Sequence, residues 1–474
     1  MDRLTADQVL GAGDSLVADD GSVTFVMQGD GNAVLYRTRD DRPLWASNTA
    51  GRPVTYLIMQ GDGNLVAYSA DGHPWWASGT DGHPGAWVVL QDDGNLVVYD
   101  AARPALWASN TVQARRSGRV AGFLPSTNAP LFANGPWPTG TKLSLSVMGL
   151  PPVSIDATAM GLCGGMSFLT RDIVDSGTPQ LRGRVASAVP VAVAQHLLSR
   201  LINSFAGVGV VARWLQATAA LDHDIVVWGK GLYHQSVGEC TGIMAEVDAG
   251  RLCPIGLVLV HSYAPWDVFK NHVVLVWGYD LDGESLALHT YDCNRPGRDD
   301  IVITLDVSAP TPAKTISTNG TDGEVGGRIR GFFQLPYQHA DPAPAYIDDG
   351  TVSVALAPTA PVPSGGNASV AVDATNTGST TWTPSSGYRL GSQAPQDNTN
   401  WGTNRVELPA GPVDPGQSAR FAFPITAAGA GGVGFAWEMV RENVHWFGHP
   451  CATVTIDVEP AAGNAQDAAG PLPV

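Results

Sequence analysis

The sequence predicts a multidomain, mostly β chain with three folded parts: an all-β repeat domain, an α+β domain and a β-sandwich. Three observations carry this. Trp45, Trp76 and Trp107 recur at spacings of 31 and 31 residues within Leu44-Trp45-Ala46-Ser47, Trp75-Trp76-Ala77-Ser78 and Leu106-Trp107-Ala108-Ser109, which marks a threefold repeat. The segment 123–337 is the part that mixes helical patches with long strands. Residues 351–458 alternate over short runs bounded by turn signals, as in Ala419-Arg420-Phe421-Ala422-Phe423 after Asp414-Pro415-Gly416.

At 474 residues the chain exceeds what one hydrophobic core serves. With 55 Gly, 34 Pro and 14 Trp it favours short strands and turns over helical bundles. Boundaries are read at 1–111, a linker 112–122 around Arg115-Arg116-Ser117-Gly118-Arg119, a domain 123–337, a linker 338–350 holding Ala340-Asp341-Pro342-Ala343-Pro344-Ala345, a domain 351–458, and a tail 459–474 expected to be disordered. Acidic residues outnumber Lys and Arg by 44 to 27, and the net charge of -17 repels phosphate backbones, so nucleic acid is excluded as a partner. The apolar stretches Val185–Leu198 and Phe205–Leu221 are broken by Pro190, Gln195, His196 and Arg213, which predicts no membrane span. The start, Met1-Asp2-Arg3-Leu4-Thr5-Ala6-Asp7, carries no visible secretory signal. Five cysteines without a CxxC pair disfavour a disulfide scaffold or zinc ribbon, and neither cofactor nor metal is expected.

Each repeat carries one polar pattern. The copies are Gln28-x-Asp30-x-Asn32-x-Val34-x-Tyr36, Gln60-x-Asp62-x-Asn64-x-Val66-x-Tyr68 and Gln91-x-Asp93-x-Asn95-x-Val97-x-Tyr99. Period-two spacing predicts all five side chains on one strand face, with Leu35, Leu65, Leu96 and Val98 turned into the core. Two amides, a carboxylate and a phenol beside an aliphatic group supply donors and acceptors for neighbouring hydroxyls and a patch for ring carbons, which is what a sugar needs. The Asp-Gly pairs 30–31, 62–63 and 93–94 alone would be ordinary hairpin turns, but a turn requires neither the Gln nor the Tyr.

This pattern resembles that of the bulb-type mannose-binding lectins of monocots, matching it at every specified position in all three copies across residues 1–111. The resemblance implies a β-prism II fold: three four-stranded sheets about a pseudo-threefold axis, with Trp45, Trp76 and Trp107 at the centre. It also implies that Asp30 and Asn32 meet the axial 2-hydroxyl of mannose, Gln28 the 3-hydroxyl and Tyr36 the 4-hydroxyl, with the same roles in the other copies. Mannose-containing glycans are the implied partner, engaged through several weak sites at once.

In the middle segment, Gly161-Leu162-Cys163-Gly164-Gly165-Met166 leads into an expected helix over Met166–Val174. A thiol at a helix start is acidified by the helix dipole, and the glycines would leave room for a carbonyl to reach backbone N–H groups. Downstream, His272 opens the apolar strand His272–Asp280, and a second strand, Ser285–Tyr291, ends at Asp292-Cys293-Asn294. A thiolate needs a base and the base an orienting acceptor, so Cys163, His272 and Asp292 fit nucleophile, base and orienter, with Asn294 as the alternative orienter. Together these residues resemble papain-like cysteine peptidases over about 123–337, which implies a hydrolase or acyl transferase acting on a protein or peptide substrate. One departure stands out: the Gln that such enzymes place shortly before the nucleophile is missing. The nearest upstream is Gln113, and Asn134 or the backbone N–H of Cys163 would have to replace it.

The last domain suggests an immunoglobulin-like sandwich. Its Trp382, Trp401-Gly402, Trp437 and Trp446-Phe447-Gly448 resemble the four-tryptophan domain of the Next to BRCA1 family, implying an interaction or spacer module. The whole chain thus reads as a mannose-binding lectin that brings a papain-like domain to glycans, acting outside the cell or at its surface. The competing reading is a multivalent lectin or adhesin whose middle domain is purely structural.

Overall fold

The computed structural model describes residues 1–38, 41–102, 104–113, 115–145, 153–156, 161–183, 185–205, 208–224, 229–308, 312–320, 327–409 and 411–460. The chain divides into two compact units, one of Met1–Ser117 with Asp280–Leu286, the other of Gly118–Tyr279 with Ala287–Val474.

In the first unit each repeat contributes to a four-stranded antiparallel sheet. The sheets comprise Ser15–Val17, Val23–Met27, Ala33–Arg37 and Arg42–Ala46; Val9–Gly11, Val54–Met59, Leu65–Ser69 and Pro74–Ala77; and Arg3–Leu4, Trp87–Leu90, Leu96–Tyr99 and Ala105–Ala108. Strand alternation sends Leu35, Leu65, Leu96 and Val98 into one shared core, as the pattern predicts. Trp45, Trp76 and Trp107 meet there edge to face at centroid separations of 5.2, 5.5 and 5.4 Å. Aromatic pairs favour this geometry because ring edges are positive and faces negative.

A strand stands where a linker was expected. Arg115–Arg119 pairs with the long strand His272–Asp282, with Val120 N–H donating to Trp277 O at 2.8 Å and Arg119 Nη1 to Tyr279 O at 2.7 Å. Gly118 is required, since a Cβ there would lie 2.6 Å from the Tyr279 ring. The basic, Gly-containing run looked like a connector because nothing local in it marks its strand partner.

The α+β part of this unit is a sheet in the order Arg328–Ile329, Ile316–Thr318, Val302–Asp306, Ser285–Tyr291, His272–Asp282, Cys253–Val258 and Gly331–Gln334. Its helices are Cys163–Ser176, Val191–Ser204, Val208–Ala219 and Leu232–Asp248. The interior strand Cys253–Val258 is buried at every position, which explains its unbroken apolar run. Ser167 Oγ donates to Val273 O at 3.3 Å, joining the first of these helices to the His272 strand.

The second expected linker is also fastened. Arg200 donates to both carboxylate oxygens of Asp172 at 2.7 and 2.9 Å and to Gln338 O, while Asp172 also accepts from Tyr337 Oη and Ala340 N–H. Residues 347–349 already belong to the sandwich: Ser379 N–H donates to Ile347 O, and Tyr388 Oη to Asp348 at 2.6 Å. The sandwich has one sheet of Gly350–Leu356, Asn367–Asn376 and Ser418–Thr426. The other orders Val362–Pro363, Val454–Glu459, Gly431–Arg441, Tyr388–Gln393 and Arg405–Glu407, with His445–Phe447 beside Gly431–Arg441. Trp382, Trp401 and Trp437 fill its core, whereas Trp446 covers Gly391 under the Arg405 guanidinium. Glu459 closes a strand, and residues 461–474 of the expected tail lie outside the described residues.

Candidate functional sites

The five motif residues of each repeat come together, though not all from a strand. Val34 and Tyr36 lie on Ala33–Arg37, whereas Gln28, Asp30 and Asn32 occupy the turn that precedes it. The expectation of a single strand face is corrected by the turn. Gly31 N–H donates to Gln28 O at 3.1 Å, and Gly31 has φ +85°. A side chain there would also run into Arg52 O at 2.3 Å, as one at Gly63 would into His83 O at 2.2 Å. Both backbone angle and space therefore demand glycine.

Hydrogen bonding leaves each site with a defined set of open atoms. One carboxylate oxygen of Asp30, Asp62 and Asp93 accepts from the backbone N–H of Asn32, Asn64 and Asn95 at 2.9, 3.0 and 3.0 Å. Each of these Asn side chains accepts, through Oδ1, from Ser47, Ser78 or Ser109 Oγ at 3.0 Å. The same oxygens accept from the N–H of Thr49, Thr80 and Thr111. Gln28, Gln60 and Gln91 donate through Nε2 to Tyr36, Tyr68 and Tyr99 Oη at 3.0, 3.2 and 3.2 Å. Among the described residues this leaves, three times over, a carboxylate oxygen and a Gln Oε1 to accept, and an Asn Nδ2 and a Tyr hydroxyl to donate. Val34, Val66 and Val97 lie beneath as a buried apolar floor.

The Ser and Thr anchors were missed as site residues. Their signal was present as Trp-Ala-Ser-x-Thr in all three copies.

In the second unit, helix Cys163–Ser176 starts at the predicted thiol. His272 Nε2 lies 2.8 Å from Asp292 Oδ1, both side chains being buried. That leaves Nδ1 of the ring open, and Cys163 is close enough for its thiol and the ring to shift each other's titration. Asp292 is therefore the ring's partner. The chain turns after Tyr291: Asn294 N–H donates back to Asp292 Oδ1 at 2.9 Å and Arg295 N–H to Asp292 O. The Asn294 side chain instead accepts from Asn134 Nδ2 at 3.1 Å, and Asn134 Oδ1 accepts from Leu162 N–H at 2.5 Å. Asn134 thus braces the residue before the thiol, with one Nδ2 hydrogen uncommitted among the described residues. Gln113 belongs to the first unit, donating to Thr111 O.

The two glycines after Cys163 serve packing instead of substrate access. A Cβ on Gly165 would lie 2.0 Å from Leu197 O, and one on Gly164 2.5 Å from Ser204 Oγ. They admit the neighbouring helix Val191–Ser204 against the thiol helix.

Burial pushes the Cys163 thiol up, but the adjoining His272 charge and hydrogen bond, with the N–H groups of Val273 and Gly164, outweigh it and hold the thiol below its ordinary range. Burial pulls His272 down, yet the charges of Asp292 and Cys163 raise it to about 10. Asp292 is lowered despite burial because His272 faces it. Thiol and imidazole are thus shifted in the directions that favour charge separation between them. The other thiols differ: burial drives Cys240 and Cys253 up to about 12, Cys451 up, and Cys293 well above the ordinary range. His272, Asp292 and Cys293 place ligand-type atoms within 4.8 Å of one another, the one such trio among the described residues. His272 and Asp292 are already engaged with each other.

No family model matches the chain. Over 69 residues it is 42% identical to the B-type lectin plumieribetin of Scorpaena plumieri, covering 15% of this chain and 58% of that protein, little over half of the relative's length. Monomeric monocot mannose-binding lectins from Gastrodia elata are 44% identical, covering 24% of this chain and 99% of theirs, with a TM-score of 0.22. The mannose-specific agglutinin of snowdrop, Galanthus nivalis, solved with methyl-α-D-mannoside, is 40% identical, covering 24% of this chain and all of its own, with a TM-score of 0.20. The N-terminal region thus resembles bulb-type lectins. Among the described residues no helix is long and apolar enough to cross a membrane.

Proposed function

We propose that this chain is a multivalent mannose-binding lectin that carries a papain-like cysteine hydrolase or acyl-transferase domain to glycosylated targets. The observation that supports the first half most is the threefold recurrence of one hydrogen-bonding arrangement, with the same four atoms open each time. An axial 2-hydroxyl can donate to the open carboxylate oxygen of Asp30, Asp62 or Asp93 and accept from the Asn Nδ2 beside it. Gln Oε1 accepts from the 3-hydroxyl, and the Tyr hydroxyl donates to the 4-hydroxyl. An equatorial 2-hydroxyl, as in glucose, points away from the first pair, and an axial 4-hydroxyl, as in galactose, from the Tyr. Single sites of this kind bind weakly, so avidity comes from several branches of one glycan. Such glycans place the protein outside the cell or at its surface.

Catalysis rests on the Cys163–His272–Asp292 geometry. The thiolate attacks a carbonyl carbon, the imidazolium protonates the departing amine or alkoxide, and water or an amine then resolves the acyl-enzyme with His272 as base. The Cys163 N–H and the remaining Asn134 hydrogen are the oxyanion donors in this reading. The four-tryptophan sandwich is an immunoglobulin-like spacer. A purely adhesive protein is favoured by one observation: Cys163 is only 9% exposed. Acylation of Cys163 by an activated peptide ester, trapped by mass spectrometry and lost in Cys163→Ala, tests catalysis; no acylation by any ester or peptide supports the adhesive alternative.

A further inference from the structure

The three sugar sites share their motif but not its neighbour across the strand. Register places Thr24 opposite Tyr36, Tyr56 opposite Tyr68 and Trp87 opposite Tyr99. Directly paired residues project from the same face of a sheet, so each of these three stands beside a motif tyrosine. In the second repeat the Tyr56 and Tyr68 rings stack at 5.8 Å between centroids and 27° between planes. In the third, Trp87 and Tyr99 stack at 5.6 Å and 26°. Both Tyr56 and Trp87 remain half-buried, with surface open to solvent. In the first repeat Thr24 instead turns its hydroxyl to Thr38 Oγ1 at 3.2 Å.

Nothing in the fold requires the aromatic pairs. They lie on the face away from the shared core, which contains neither Tyr56 nor Trp87, and the first sheet closes with a threonine at the same place.

We propose, resting on the mannose reading above, that Tyr56 and Trp87 form a second subsite in the second and third repeats that takes the apolar face of a further pyranose ring in the same glycan. The first repeat reads a single terminal mannose. A pyranose presents a face of C–H groups, and a broad aromatic surface at the edge of a polar pocket is the complement of that face. The tyrosine that reads the 4-hydroxyl is continuous with this surface, so the second ring sits on the aromatic side of the bound mannose. The lectin unit therefore has one site for a sugar end and two for an oligomannose arm.

Titration calorimetry of the full chain with methyl α-mannoside and with an α-linked mannotriose tests this. The expected result is one class of three sites for methyl α-mannoside. The trisaccharide should resolve two sites roughly three- to tenfold tighter than the third. Thr24→Trp should bring the third site up to the other two. In the double variant Tyr56→Thr with Trp87→Thr, the affinity ratio of trisaccharide to methyl α-mannoside should fall to that of the first site. Three equal trisaccharide sites, no tighter than for methyl α-mannoside, would overturn the subsite and leave the mannose reading standing. Absence of binding by both sugars would overturn the mannose reading, and the subsite with it.

Discussion

Asp292 Oδ1 and His272 Nε2 lie 2.8 Å apart in a buried setting, while Asn294, two residues along, points its side chain at Asn134. That division of labour separates a carboxylate and an amide that are nearly adjacent in sequence. Asp292→Asn should slow acylation of Cys163 by at least about tenfold, because an amide stabilises the imidazolium far less than a carboxylate. Asn294→Ala leaves the ring its partner and should act mainly through Asn134, slowing acylation without shifting its pH dependence. Equal pH profiles for all three proteins would remove Asp292 from its role.

The lowered thiol and raised imidazole make a pH prediction of definite sign. Cys163 is held below the ordinary thiol range, so alkylation by iodoacetamide should already be fast below pH 8 and should change little on going up to the His272 value of about 10. Below the lowered thiol value the rate should fall as the thiolate is protonated. In His272→Ala the burial remains and the counter-charge is gone, so the thiol rises and alkylation at pH 7 should fall by about tenfold or more. Site-resolved mass spectrometry reads this directly.

Ser47, Ser78 and Ser109 hold the Asn side chains that would donate to sugar. Changing all three to Ala should weaken methyl α-mannoside binding by about five- to tenfold at each site, the worth of about one hydrogen bond. Changing Asn32, Asn64 and Asn95 to Ala should abolish it while circular dichroism stays native. Unaltered affinity in the serine variant would mean the Asn amides need no anchor.

Arg200 and Asp172 are both buried, and their pair fastens the segment 337–340. Arg200→Met strands a buried carboxylate and should destabilise the second unit by about 3–5 kcal/mol in denaturant unfolding. Adding Asp172→Leu should recover much of that loss, since the uncompensated charge is then removed.

The sequence made the repeat domain legible almost completely, because Trp45, Trp76 and Trp107 recur every 31 residues, the fifteen motif positions recur after 32 and 31, and each signal has a local cause. The turn at Gln28–Asn32 was misread as strand, since period-two spacing continues through a hairpin whose Gly31 reverses the chain. Residue type and order singled out Cys163, His272 and Asp292, of which His272 and Asp292 are in hydrogen-bond contact. They did not decide between Asp292 and Asn294, for that choice depends on a turn held by a hydrogen bond from Asn294 to Asp292. Gly164 and Gly165 were given a role in substrate access that belongs to helix packing, a contact with Leu197 and Ser204 some thirty to forty residues away that no local pattern encodes. The strand at Arg115–Arg119 failed for the same reason, its partner lying over 150 residues downstream.

The central claim is that three mannose sites coexist in one chain, and competition between simple sugars tests it most directly. Titration calorimetry with methyl α-mannoside, methyl α-glucoside and methyl α-galactoside should give a stoichiometry near three for the mannoside and much weaker heats for the other two. Indistinguishable binding of all three sugars, or none by the mannoside, would contradict it.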